Sequence, residues 1–356
     1  MTEPLSIFSE ACRFQGRLCE AFGSPFSAAV LDVIADDVGQ GGPFARLAAP
    51  WSGADVRRIT ADAAALRLLG GLHYLVLSGA APNLAALYPP TASAADRDRL
   101  AGVIPQVANA NLDFLTRFIT SPPQTNEVSR SKCLAGGFLT VAAETGLPLR
   151  CLEIGSSAGL NQNWDLYRYA FDGAWNWGDP AAPVRFGAGW TGGAPQSPSG
   201  ARVAERRGCD QNPIDIADPE QALWLQAYVW PDQAERLGNL RAAIDLARQA
   251  PPTIERADAA AWAQARATPA WGLATVIFHS VVWQYLAPET RESLRATIAA
   301  AGASATPESP FAWLRMEPSP THPAGMQEVR LTLWPGGDDR LLALAHPHGA
   351  TVEWLD

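Results

Sequence analysis

No stretch of this sequence is apolar for long enough to cross a bilayer. The longest runs, such as Thr275 to Val282, are short and interrupted by His279, whereas a spanning helix needs roughly 20 apolar residues. A secretory start is also missing: Met1 to Ser9 include Glu3 and combine no basic opening with a continuous apolar segment, so a cytoplasmic location is expected. The five cysteines, Cys12, Cys19, Cys133, Cys151 and Cys209, are odd in number, widely spaced and contain no C-x-x-C pair. That pattern argues against a disulfide framework and against structural zinc, and leaves reduced, buried thiols. The histidines are scattered, and His346-Pro-His348 has no carboxylate or thiol nearby in sequence, so no metal site is expected. Basic charge is scarce as well, with 27 Lys and Arg against 36 Asp and Glu and a formal net charge of -9. The one local basic knot, Arg206-Arg207, is far weaker than a nucleic-acid footprint. A small-molecule or peptide substrate is the expected partner, with no nucleic acid and no membrane.

What remains is the composition of a folded protein, 47% hydrophobic and 18% charged over 356 residues, enough for two closely packed parts. From Pro4 to about Gly146 the pattern is helical, and five or six helices are expected. Ser52-Gly-Ala-Asp55 reads as a capping box, and Ile59, Ala63, Leu66, Leu69 and His73 follow at three- and four-residue intervals on one helical face. A lone His on an apolar face is most simply a hydrogen-bonded core residue, so His73 is left out of the site. Breaks fall at Gly39-Gln-Gly-Gly-Pro43 and Pro89-Pro90.

After Gly146 short apolar runs alternate with helical stretches: Leu149 to Ile154, Arg202 to Asp210, Thr253 to Asp258, Ala274 to Ser280 and Phe311 to Glu317. That order predicts βαβ units and a parallel sheet. Glu328 to Trp334, Arg340 to His346 and Thr351 to Leu355 follow with only tight links, Pro335-Gly-Gly-Asp338 being the clearest turn, and so must pair antiparallel. The fold expected is α/β: a doubly wound, mainly parallel sheet with antiparallel C-terminal strands, seven in all, over 147–356, preceded by an α-helical cap region over 1–146. Residues 172–200, rich in Gly and Pro and carrying Trp175, Trp177 and Trp190, read as an insertion. It serves either as a binding loop or as a loop stapled down by its tryptophans.

The sharpest chemical signal is Leu152-Glu153-Ile154-Gly155-Ser156-Ser157-Ala158-Gly159-Leu160-Asn161, between a strand-like run and the helix-like Leu160 to Tyr169. Small residues at the end of a first strand let the backbone turn sharply and approach a ligand, and a following helix start presents free N–H groups. A dinucleotide fingerprint wants small residues at 155, 157 and 160, but position 160 is Leu and the small positions are 155, 157 and 159. The spacing favours S-adenosylmethionine over NAD. The segment resembles the first motif of the class I (Rossmann-like) S-adenosylmethionine-dependent methyltransferases, with Ser157 where Gly is usual. Gly208-Cys-Asp210-Gln-Asn212-Pro213 resembles the end of their second strand, which implies Asp210 on the ribose hydroxyls. Arg256-Ala-Asp258-Ala259 resembles the end of the third, which meets the adenine. Each Asp also precedes a helix start, where it could serve as an N-cap.

His279 ends the fourth strand beside the place where the transferred methyl group is expected. There it is the candidate general base, or else a hydrogen-bonding strand end with no part in proton transfer. Over its whole length the chain resembles a bacterial family catalogued as domain of unknown function 2332. The likeness rests on Pro123-Gln-Thr-Asn126-Glu127-Val-Ser-Arg130-Ser131, Trp177-Gly-Asp-Pro180, Glu205-Arg-Arg-Gly-Cys-Asp210, Phe278-His-Ser-Val-Val-Trp-Gln-Tyr-Leu286 and Leu331-Thr-Leu-Trp-Pro-Gly-Gly337. The family name carries no activity. Asn126 and Arg130 share a helical face, and the methyltransferase resemblance implies Arg130 pairing the methionine carboxylate, with an ordinary solvated helix start as the alternative. The expected cofactor set is therefore Glu153, Gly155, Ser156, Ser157, Gly159, Asp210, Asp258, Ala259, Arg130 and Asn126, with His279 near the methyl group. A regulatory protein that binds the cofactor without consuming it, and an NAD-dependent oxidoreductase, are the rivals.

Overall fold

The computed structural model describes residues 3–92, 94–171, 173–196, 201–322 and 325–356. Asp172 and residues 197–200, at the two ends of the expected insertion, lie outside the described residues. The chain forms two compact units, Met1–Thr125 with Asp218–Gly238, and Asn126–Ala217 with Asn239–Asp356.

The first unit is helical around a core that includes Val30, Leu31, Ile34, Phe44, Leu68, Leu72, Leu100 and Ile104. Through Thr145 the described residues hold nine α-helices rather than five or six. The surplus comes from short pieces such as Pro43–Leu47 and Pro82–Ala85, each opened by a proline whose fixed φ suits a first turn. The expected helix behind Ser52 is two helices. Ser52 ends a 3-10 turn, and Asp55 is the cap, its carboxylate accepting from Arg58 N at 2.7 Å. The helix Val56–Ala61 then stops because Asp62 is pulled into other bonds. Its carboxylate takes the Arg58 and Trp51 N–H groups and its carbonyl takes Arg67, after which Ala63 turns left-handed at φ 54°. Ala64–Leu77 restarts the helix. His73 on it is 3% exposed and hydrogen-bonds Ala227 O through Nδ1, a satisfied core residue.

The second unit carries twelve strands among its described residues: β1 (Leu149–Ile154), β2 (Arg168–Phe171), β3 (Trp175–Trp177), β4 (Arg185–Phe186), β5 (Trp190–Thr191), β6 (Val203–Asp210), β7 (Ile254–Arg256), β8 (Ala274–Ser280), β9 (Phe311–Pro318), β10 (Gln327–Trp334), β11 (Asp339–Ala345) and β12 (Val352–Trp354). The main sheet has the order β5-β12-β11-β10-β9-β8-β1-β6-β7. Strands β7, β6, β1, β8 and β9 are mutually parallel, and β9 to β12 form an antiparallel meander. The sheet has nine strands rather than seven: all eight runs read from the sequence are strands of it, and the insertion supplies the ninth, β5, parallel to β12.

Side-chain alternation assigns the two faces. Leu152, Ile154, Ile277 and Phe311 cluster with Trp262 and Ala263 of the helix Ala259–Arg266 and with Leu294 and Ile298 of the helix Pro288–Ala303. On the opposite face Phe278 meets Phe138 of the helix Arg130–Thr145, ring centroids 5.0 Å apart. A side chain at Gly137 would collide with Leu314, so glycine is what lets this helix lie against the sheet. With helices on both faces, β8 is buried along its whole length, which explains why its run is mainly apolar rather than alternating.

The insertion is stapled down. Strands β2, β3 and β4 form a small sheet of their own. Trp177 stacks on Trp164 at 5.1 Å, Trp175 packs on Phe171 at 4.7 Å, and Trp190 lies between Phe171 and Trp354. Lys132, 4% exposed, adds a charged pin, its Nζ donating to Ala188 O at 2.8 Å and Ala350 O at 3.0 Å. Replacing Lys132 with Met, of similar length, removes the donor from both carbonyls and should lower stability by about 2 kcal/mol. Urea denaturation checks this, and a loss below about 0.5 kcal/mol would mean that the carbonyls find other donors.

Candidate functional site

The parallel half of the sheet reverses its order at β1. From β1 the chain crosses to β6 and β7, then returns to β8 on the other side of β1. Ligands in open α/β sheets bind outside the carboxyl ends of the strands at such a point. The turn after β1 lies there, and it has an unusual backbone: Gly155, Ser157 and Gly159 all have positive φ, at 70°, 53° and 71°. For Ser157 the left-handed conformation costs about 1 kcal/mol, and two bonds oppose that cost. Its N–H donates to Asp210 Oδ2 at 2.8 Å, and its carbonyl accepts from Ile214 N at 3.1 Å.

The turn is bonded largely to the protein itself. Gly155 N and Ser156 N both donate to Cys209 O, Gly159 N to Ser156 O, and Leu160 N to Asn126 Oδ1 at 2.8 Å. Nor does an α-helix follow. Residues Leu160–Leu166 form a kinked 3-10 segment and β2 comes next, so the expected helix from Leu160 to Tyr169 is absent and with it any helix-dipole contribution to anion binding. The aromatic residues are the reason: Trp164 and Tyr167 are buried, and the Tyr167 and Tyr169 hydroxyls donate to Leu160 O and Trp164 O, closing this stretch on itself.

Glu153 is 3% exposed on β1, and its Oε2 has no hydrogen-bond partner. Burial pushes its carboxyl up to about 8, opposed by hydrogen bonds from Ser156 and Gln162 and reinforced by the charge of Asp210. Ser157 Oγ and Gln162 Oε1 are likewise buried without a partner. Asp210 ends β6; besides Ser157 N it accepts from Asn212 N at 2.8 Å through Oδ1. Two of its roughly four lone-pair positions are used and two remain. Asp258 is exposed and caps the helix Ala259–Arg266, its Oδ1 accepting from Ala260 N at 2.9 Å and Ala261 N at 3.1 Å, while Ala259 packs into the apolar layer under the sheet.

At the end of β8, His279 is 1% exposed with both ring nitrogens engaged. Nδ1 lies 2.6 Å from Glu317 Oε1, and Nε2 accepts from Trp313 Nε1–H at 3.0 Å. An indole N–H only donates, so Nε2 is the acceptor and Nδ1 carries the proton. Trp283 stacks on the ring at 5.2 Å. In this arrangement His279 has no lone pair directed at a substrate; it holds structure. Arg130 is drawn inward, its Nε donating to Pro347 O and its Nη1 to Ser280 O. Burial pulls its pKa below the usual value, opposed by Glu127 and Glu317. It is not a solvated helix start. Asn126 acts on the turn through Leu160 N, and Ser131 and Glu127 O hold Asn161 beside it.

Glu317 is the site residue that the sequence pattern leaves unmarked. Its Oε1 also accepts from Val282 N at 3.0 Å and Trp283 N at 3.2 Å, and its Oε2 is buried without a partner. The signal that could have found it is its position, the polar residue closing the strand-like run from Phe311. Among the described residues no group of three or more His, Cys, Asp or Glu side chains is placed to hold a metal ion. All five cysteines are free and buried, and no helix of the described residues is long and apolar enough to cross a membrane.

The model of a bacterial family, described as an uncharacterized protein conserved in bacteria and as domain of unknown function 2332, matches residues 9–354. The chain belongs to this family. No curated protein and no solved structure matches the chain. The DUF2332 resemblance rested in part on segments holding Asn126, Arg130, Asp210 and His279, and in the fold these meet the turn after β1 or the end of β8.

Glu153 makes stability depend on pH. Its folded pKa stands above the unfolded value, so between about pH 4.5 and 8 the folded state holds a proton that the unfolded state has lost. Its contribution to stability is therefore complete below that range and is lost as pH rises through about 8. Glu153→Gln should match the parent near pH 4.5 and exceed it by roughly 4 kcal/mol at pH 8.5. Urea melts across that range test this; parallel curves for the two proteins would refute it.

Proposed function

We propose that the second unit binds S-adenosylmethionine at the switch point and transfers its methyl group to a small-molecule or peptide acceptor. The observation that carries this reading is the parallel order β7-β6-β1-β8-β9, with a turn of alternating left-handed residues after β1 braced by a carboxylate at the end of β6. The donor set suits the cofactor. Asp210 keeps lone pairs for a vicinal diol, the turn from Gly155 through Ser156 and Ser157 to Gly159 lies beside it, and Arg130 brings a cation to the end of β8 for a carboxylate. Glu153 contributes from inside the turn, and Asn126 by holding Leu160. His279 positions the residues that follow β8 and takes no proton, and Asp258 contributes as a helix cap. Five free, buried thiols fit a cytoplasmic setting.

One observation favours a second reading, in which the cofactor is bound and not consumed: both nitrogens of the best-placed histidine are already paired within the protein. Calorimetry with S-adenosylmethionine, S-adenosylhomocysteine and NAD, on the parent and on Asp210→Ala, tests the binding. Both adenosyl ligands should bind, NAD should not, and the substitution should weaken binding by about tenfold, the worth of one good hydrogen bond to a charged group. No heat with either adenosyl ligand sinks the proposal, and heat with NAD alone turns it toward an oxidoreductase. Binding with no S-adenosylhomocysteine formed across an acceptor screen leaves the second reading.

A further inference from the structure

The turn after β1 has two sides, and they differ. Over Gly155 the space is filled by the protein: a Cβ at that position would lie 2.6 Å from Val282 Cγ2. On the other side Ala158 forms part of the wall of a cavity of about 490 Å³, with Pro213, Ile214, Ile216, Pro252 and Ile254 opposite and around it. Gly159 packs against the same wall, where an added Cβ would come within 2.7 Å of Pro252. The volume falls inside the range of roughly 300–1,000 Å³ that small-molecule sites occupy, and the lining has their usual character, mostly apolar with a few polar groups. The polar groups here are Asp215 and Arg248, both exposed at the rim. Arg248 is fixed there, its Nε donating to Ile216 O at 3.1 Å.

The cavity and the carboxylate of Asp210 are parts of one construction. Asp210 and the wall residue Pro213 are three residues apart, at most about 10 Å of chain, and the intervening segment is tied to the turn by Ile214 N donating to Ser157 O. Asp258, where the methyltransferase resemblance set the adenine, is instead an exposed helix cap.

The geometry points to this cavity as the site of the ligand's planar, uncharged heteroaromatic ring, a purine base, with Asp210 on the ribose side. Flat aliphatic and proline walls desolvate such a ring, and the rim carboxylate of Asp215 suits one that carries an exocyclic amino group. This assignment rests on the cofactor reading above, and it moves the base from the end of β7 to the far side of the turn.

Ala217 lines the cavity and is exposed, so Ala217→Trp fills the space without disturbing a buried contact. S-adenosylhomocysteine and adenosine are titrated into the parent and the variant by calorimetry, with circular dichroism to check the fold. Hydrogen exchange on the parent supplies a readout that needs no variant. Both ligands should bind the parent, both should weaken by at least about thirtyfold in the variant, and segments 211–217 and 247–254 should gain protection. If S-adenosylhomocysteine binds parent and variant alike, or protects only other segments, the cavity assignment is wrong and the cofactor reading stands. If adenosine alone binds and the variant loses it, the cavity assignment stands and the cofactor reading falls. If neither ligand binds the parent, both fall.

Discussion

The bond between Asp210 and the amide of Ser157 joins two strand ends that are far apart in sequence. Without it, the left-handed backbone of Ser157 would be held only by the bond from Ile214 N to its carbonyl. With it, the turn after β1 is anchored on the neighbouring strand, because Gly155 N and Ser156 N also bond to Cys209 O at the end of β6. The insertion, with its tryptophan contacts, is attached elsewhere, to Trp164, to β12 and to Lys132. Turn and insertion are thus held by separate sets of contacts, and a change in the insertion need not move the turn.

Around this anchor the unit buries several ionisable side chains, each handled differently. Lys132 is solvated by carbonyl dipoles, with two acceptors placed on its ammonium group. Arg130 likewise donates to two carbonyls, and the charges of Glu127 and Glu317 lie close enough to sustain its own. Glu153 has no cation of this kind. It is left with an unpartnered oxygen and holds its proton to about pH 8 instead. Ionising a carboxyl in that position is costly, so the proton is part of the folded structure at neutral pH.

Much of the sheet was legible in the sequence because strands buried on both faces read as short, mainly apolar runs, with polar interruptions such as Arg150 and Glu153 in β1 and His279 in β8. β1 and β8 have the expected bounds, and the tight links after β10 and β11 forced antiparallel pairing. What the pattern could not carry was the competition for hydrogen bonds. Asp62 reads as a polar position on a helix, yet its bonds to Trp51, Arg58 and Arg67 end that helix. Leu160 to Tyr169 has helical periodicity, but two tyrosine hydroxyls bond to the carbonyls of Leu160 and Trp164, which a helix would use as acceptors. In the candidate site, the glycine turn follows β1 and Asp210 closes β6 beside it. Asp258, a cofactor residue or a cap on sequence grounds, caps the helix Ala259–Arg266 through Oδ1.

His279 shows the same limit and also explains why the turn has the shape it does. A histidine at the end of a buried strand looks poised for chemistry, but Trp313 from β9 donates to one nitrogen and Glu317 from the same strand accepts from the other. The oxygen that meets His279 also collects the amides of Val282 and Trp283, so three donors converge on one acceptor and hold Val281 in left-handed backbone at φ 55°. That bend directs the Val282 side chain against Gly155, where any larger residue would be displaced. The histidine therefore reaches the turn through a chain of contacts: His279 fixes Glu317, Glu317 fixes the bend after β8, and the bend closes one side of the glycine turn. The side left open is the one that adjoins the cavity at Ala158.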